Sequence, residues 1–297
     1  MTQANKEYKD RLFNFLFGRE ERKEWTLNLY NAVRGSTYTN KDDVQINTIE
    51  NVLYLSMHND ISFLIKGELN LYEQQSSYNP NMPLRMLQYT SMLYEKYISR
   101  SQLDKYSSHL IKLPVPKLVV FYIGETEMPD ETILSLRDSF PDNADPDIDV
   151  RVRMININPK HSAALLKACR PLSEYSWFID RIRENRKAMS LHDAIDEAIN
   201  SVPEDFLIRD LLLENRSEVS DMLETEFNEE EVLKIVALNA EKRGEKRGEK
   251  KGKKLGEKQL TNLFKKLVPG SEEYYQALDA THEELEQLYI KYNIPLD

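Results

Sequence analysis

The spacing of apolar positions changes along the chain, and each change predicts a different element. Phe13, Leu16 and Phe17 fall at i, i+3, i+4 and predict a helix over 6–17 that Gly18 stops, with Asp10 upstream on the same face. Leu27, Leu29, Tyr30 and Val33 predict a second helix ending near Gly35. Residues 36–50 are polar and turn-rich. Asp60 then opens a strand through Ile65, and residues 71–75 form its neighbour, with Lys66 to Asn70 between them. Side chains alternate in a strand, so Leu69, Leu71, Glu73 and Gln75 share one face and Asn70, Tyr72 and Gln74 the other.

Asn79 to Pro83 reads as a loop, and Pro83 suits the first turn of a helix over 83–99. Leu84, Leu87, Ser91, Tyr94 and Ile98 are its expected stripe, and Arg85 and Tyr89 stand together at i, i+4. The unbroken apolar run Leu118 to Ile123 predicts a central strand covered on both faces. Residues 125–146 read as a loop with a short helix around Thr132 to Phe140. Residues 147–157 alternate and predict another strand, nearer the edge, with Arg151 and Arg153 on its solvated face. From residue 160 only helical spacing remains, over 163–169, 175–184, 191–199 and 206–213. The pattern implies an α/β core with a mixed sheet flanked by helices, and an all-helical C-terminal third.

The tail changes the picture. Glu241-Lys-Arg-Gly recurs at Glu245 and drifts to Lys258, so 241–258 holds nine Lys/Arg and four Glu, a local charge of +5. The whole chain is at −10, which leaves −15 for the rest. Four glycines at four-residue spacing would cost a helix about 3–4 kcal/mol relative to alanine, yet they line one face where another helix can approach closely. Beyond them, Leu260, Leu263, Phe264 and Leu267 are amphipathic, and Ser271 is placed to cap a last helix reaching about Tyr292.

Composition narrows the class. Hydrophobic residues make up 40% and charged residues 30%, enough for a core with long solvated helices. No apolar run is long enough to span a membrane, Met1 to Glu7 lacks an apolar leader pattern, and Cys169 stands alone, excluding an internal disulfide. A cytoplasmic protein is expected. His58-x-Asp60 can be read as metal ligation, but His is a poor Mg²⁺ ligand and a surface role fits better. The other four histidines show no metal spacing, and there is no Ser/His/Asp or Cys/His arrangement and no glycine-rich phosphate loop.

The candidate chemistry lies between residues 60 and 75. Glu73 and Gln75 continue an apolar face, an expensive position unless a cation or hydrogen bonds satisfy them. Asp60 with Glu73 forms a carboxylate pair suited to Mg²⁺, which prefers hard oxygen ligands. The same residues also fit a solvated edge strand, so the pattern alone leaves both readings open.

The segment His58-Asn59-Asp60-Ile61-Ser62-Phe63-Leu64, continued by Leu71-Tyr72-Glu73-Gln74-Gln75 and Asn79-Pro80-Asn81-Met82-Pro83-Leu84-Arg85, resembles the Rpn family of recombination-promoting nucleases, also labelled transposases. Lys9-Asp10-Arg11-Leu12-Phe13 resembles the family's opening helix, Leu113-Pro-Val-Pro-Lys117 its approach to a central strand, and the Glu-Lys-Arg-Gly tail its charged tails. The resemblance implies a PD-(D/E)XK nuclease-like domain over 1–200, followed by a helical extension (201–240), the charged segment (241–258) and a C-terminal helical segment (259–297). It implies a DNA endonuclease that uses Mg²⁺, with Mn²⁺ or Ca²⁺ as alternatives. Asp60 and Glu73 would hold the metal, with Gln75 as the third catalytic residue. Gln75 stands where the wider superfamily has Lys; a Gln hydrogen-bonds but brings no charge to a nucleophile. Asp10, Arg85 and Tyr89 are accessory candidates. DNA is the implied partner, and the tail suggests self-association. A degenerate nuclease fold acting as a DNA- or protein-binding module is the alternative.

Overall fold

A computed structural model of the chain describes residues 11–47 and 61–295. They fall into two compact units, 1–230 and 231–297.

The first unit opens with α1 (Leu12–Phe17) and α2 (Lys23–Arg34), separated by Gly18 and a 3-10 turn. Gly35 takes a φ of 65°, the left-handed conformation that ends helices, and its N–H donates to the Asn31 carbonyl. Then come β1 (Gln45–Ile46), β2 (Ile61–Ile65), β3 (Glu68–Gln75), α3 (Met82–Arg100), β4 (Val115–Tyr122), β5 (Glu131–Ser135) and β6 (Arg151–Asn156). Helices follow: α4 (Ala163–Ala168), α5 (Arg170–Arg186), α6 (Leu191–Asn200), α7 (Arg209–Glu214) and α8 (Arg216–Lys266).

The six strands form one mixed sheet in the order β1-β2-β3-β4-β6-β5. β3, β4 and β6 are parallel, while β1, β2 and β5 pair antiparallel with their neighbours. Lys66 (φ 48°) and Gly67 (φ 79°) alone join β2 to β3. Two positive φ values in a row match the twist of a tight hairpin. The linker is therefore shorter than the expected Lys66 to Asn70. The core lies on both faces. One packs Phe63, Tyr72, Val119, Phe121 and Ile155 against α1, α2, α5 and α6. The other packs Leu69, Leu71, Val120, Tyr122, Val152 and Met154 against α3. The second unit contains the later turns of α8, then α9 (Glu272–Asp279) and α10 (His282–Lys291), around Leu263, Leu267, Ala277, Leu288 and Tyr289.

The α/β class, the mixed sheet, central β4 and the helical last third match the pattern-based expectation. Three details differ. Residues 132–140 are not a helix: Glu131–Ser135 is the edge strand β5, and only Leu136–Ser139 makes a 3-10 turn. That moves β6 one place in from the edge. The buried stripe of α3 is Met82, Met86, Tyr89 and Leu93, whereas Leu84 and Ser91 are exposed. The last helix is two, because Thr281 and Glu284 form a reciprocal cap that starts α10 afresh. The glycine-spaced segment is helical throughout, within α8. Among the described residues, no helix is long and apolar enough to cross a membrane.

Candidate active site

Glu73 is a carboxylate in an apolar layer. The pleat of β3 puts it on the α3 face, one step beyond Leu69 and Leu71, and it is 3% exposed. Its register partner on β4 is the fully buried Val120. The counter-charge comes from the first turns of α3. Arg85 donates from Nη2 to Glu73 Oε1. The same nitrogen donates to the Tyr89 hydroxyl at 3.0 Å, and Arg85 Nε reaches that oxygen at 3.3 Å. Tyr89 is itself buried, so its ring fixes where the hydroxyl lies. The i, i+4 spacing stands the two side chains together, and the packing of Met82 and Met86 on the sheet turns them toward Glu73.

Gln75 lies two residues on, about 6.6 Å along the strand. It is 7% exposed, and its amide nitrogen donates to Met82 Sδ at 2.8 Å. Its oxygen is buried with no hydrogen-bond partner among the described residues. The face thus offers a carboxylate and an unsatisfied amide oxygen, both hard donors of the kind Mg²⁺ takes. Among the described residues, no group of three or more His, Cys, Asp or Glu could hold a metal.

Asp60, Asp10 and His58 lie outside the described residues. Asp60 precedes Ile61 in the chain, and Ile61 pairs with Tyr72, the residue before Glu73. Arg11, which follows Asp10, donates from Nη1 to the Gln74 carbonyl at 3.4 Å. Arg151 and Arg153 are held by acids, Arg151 by Asp149 at 3.2 Å and Arg153 by both oxygens of Glu131 at 2.7 Å.

The pattern reading did not single out a polar brace at the carboxyl ends of the parallel strands. Asn158 donates to the Gly124 carbonyl at 3.0 Å, and Arg183 donates to Asn158 Oδ1 at 3.2 Å and to the Ile123 carbonyl. Asn156 reaches the Met128 carbonyl at 2.7 Å. These bonds tie the loops after β4 and β6 to α5. The only sequence signal is a pair of asparagines at the end of a strand, which is weak.

One buried thiol and two buried phenols elsewhere stay protonated at neutral pH. Burial pushes the Cys169 thiol up to about 12, so it supplies no thiolate at neutral pH. Burial also raises Tyr72, and burial together with the hydrogen bond to Glu68 raises Tyr30 to about 12. No protein-family model, curated protein or solved structure matches the chain.

Proposed function

We propose that this chain is a metal-dependent endonuclease that hydrolyses phosphodiester bonds of DNA, built on a PD-(D/E)XK-like core and akin to the Rpn family. The observation that carries the reading is Glu73 and Gln75, buried side by side on one sheet face with an arginine already drawn to the carboxylate. In this reading Asp60 and Glu73 are the metal ligands. A divalent cation bound there supplies charge stabilisation at the phosphate and a more acidic water. Gln75 orients the attacking water through its unsatisfied oxygen. Arg85 and Tyr89 face the phosphate from α3, and Asp10 is an accessory acid. The setting is cytoplasmic DNA undergoing recombination or carrying mobile elements.

The second reading is a degenerate nuclease fold that binds DNA or protein without cutting. Gln75 in place of the superfamily's Lys favours it, because the site then lacks one positive charge. Incubating supercoiled plasmid with Mg²⁺, Mn²⁺ or EDTA separates the two. Nicking that requires the cation supports the nuclease. Absence of nicking together with absence of Mn²⁺ binding supports the binding module.

Self-association is proposed for the tail. Gly244, Gly248, Gly252 and Gly256 have open space where a Cβ would stand, so the glycine ridge of α8 has room for a second helix.

A further inference from the structure

Glu73 is almost fully buried, and its cation reaches it from a position with freedom to move. The Glu73 side chain is 4% exposed, whereas that of Arg85 is 35% exposed. A strand holds Glu73 in the centre of the sheet, while Arg85 hangs on a long flexible stem from the first turns of α3. Two cations cannot both be the close partner of Glu73 Oε1. A divalent ion ligated through that oxygen therefore competes with the guanidinium for it.

We propose that Arg85 holds the cation position of Glu73 in the metal-free protein and is displaced when a divalent ion binds, which releases it to grip a DNA phosphate. This rests on the nuclease reading above. Tyr89 gives the exchange its geometry. Its hydroxyl accepts from two Arg85 nitrogens, so a released guanidinium stays tethered beside the site. A planar guanidinium then offers the phosphodiester paired donors, a geometry that a lysine lacks. The device also matches charge to need. Glu73 is never left buried without a cation, and the arginine reaches the substrate only when the metal is in place.

Competition predicts an inverted mutational effect: removing a contact tightens metal binding. Mn²⁺ binding to the full chain, read from the free-ion signal in electron paramagnetic resonance, tests this. Arg85→Gln binds Mn²⁺ about tenfold more tightly than wild type, the scale of one charged hydrogen bond removed. Arg85→Lys falls between them, since its ammonium still competes. Equal or weaker binding by a folded Arg85→Gln protein overturns the exchange and leaves the nuclease reading intact. No Mn²⁺ binding by wild type overturns both. A second measurement needs no variant. Phenylglyoxal labelling of Arg85 in the wild-type protein, read by peptide mass spectrometry, rises several-fold on adding Mn²⁺. Unchanged labelling at saturating Mn²⁺ also overturns the exchange.

Discussion

Glu73 is a charge where an apolar side chain would be simpler to fold. The face was readable because the pleat alternates: Leu69, Leu71, Glu73 and Gln75 had to lie together once β3 was recognised. Its partner was half-readable. The i, i+4 spacing paired Arg85 with Tyr89, but which side of α3 meets the sheet was not evident, since Leu84, Leu87, Tyr94 and Ile98 compete with Met82, Met86 and Leu93 for the buried side. Packing decided it. Truncating Arg85 to Ala leaves a buried carboxylate without this cation, and we expect a loss of about 1–3 kcal/mol in urea unfolding without metal. Gly124 is a second sensitive residue. A Cβ there would overlap the Ser76 carbonyl and the Tyr122 ring, and a backbone oxygen cannot move aside. Gly124→Ala should cost about 1–3 kcal/mol, read from the same unfolding midpoint. Cys169 should resist iodoacetamide in the native protein and react once unfolded, as burial raises its pKa.

At the scale of elements, the reading failed where two structures share one pattern. Thr132 to Phe140 holds apolar residues at spacings that fit a turn of helix, yet Glu131–Ser135 is a strand because it completes the sheet beside β6. The arginine and acid that pin this edge, Arg153 and Glu131, are too far apart in sequence to be paired by pattern. Their link has a pH signature. Hydrogen bonding from Arg153 holds the Glu131 carboxyl below its usual value. Its contribution is therefore complete above the ordinary carboxylate pKa and is lost as pH falls through the lowered one. Comparing wild type with Glu131→Gln should show a stability gap at pH 7 that closes on acidification. A gap that persists at pH 2 would refute that cause.

The glycine ridge of α8 makes a prediction of its own. Arg243, Arg247 and Lys251 flank the glycines on one side, and Glu245, Glu249, Lys253 and Glu257, a net acidic row, on the other. When two copies meet through the ridge in parallel, each acidic flank faces the partner's basic flank; an antiparallel pair sets like charges together. The arithmetic matches the flanking-charge rule of coiled coils. Gly244→Cys should then form a disulfide-linked dimer under mild oxidation, since residue 244 meets its own copy only in the parallel pair. Gly248→Ala should raise helix stability by about 1 kcal/mol and still weaken association in sedimentation runs. Unchanged association would remove the ridge as the interface.

At the scale of the whole molecule, class and order were legible and the site was legible in part. Apolar runs fixed central β4, and the switch from strand to helix spacing near residue 160 marked the helical part. Helix formation through the glycines was left open by the pattern, because summed propensity opposes it while the long flanking helical segments carry α8 through. Charge is uneven too: +5 sits in 241–258 against −15 elsewhere. Any DNA affinity contributed by that segment should fall steeply with added salt.

The central claim is that the buried Glu73 face performs metal-dependent cleavage of DNA. The most direct test compares wild type with Glu73→Ala on supercoiled plasmid in Mg²⁺, alongside EDTA and circular dichroism of both proteins. The account predicts nicking by wild type that EDTA abolishes and that a folded Glu73→Ala protein lacks. Cleavage that survives in the variant would contradict it.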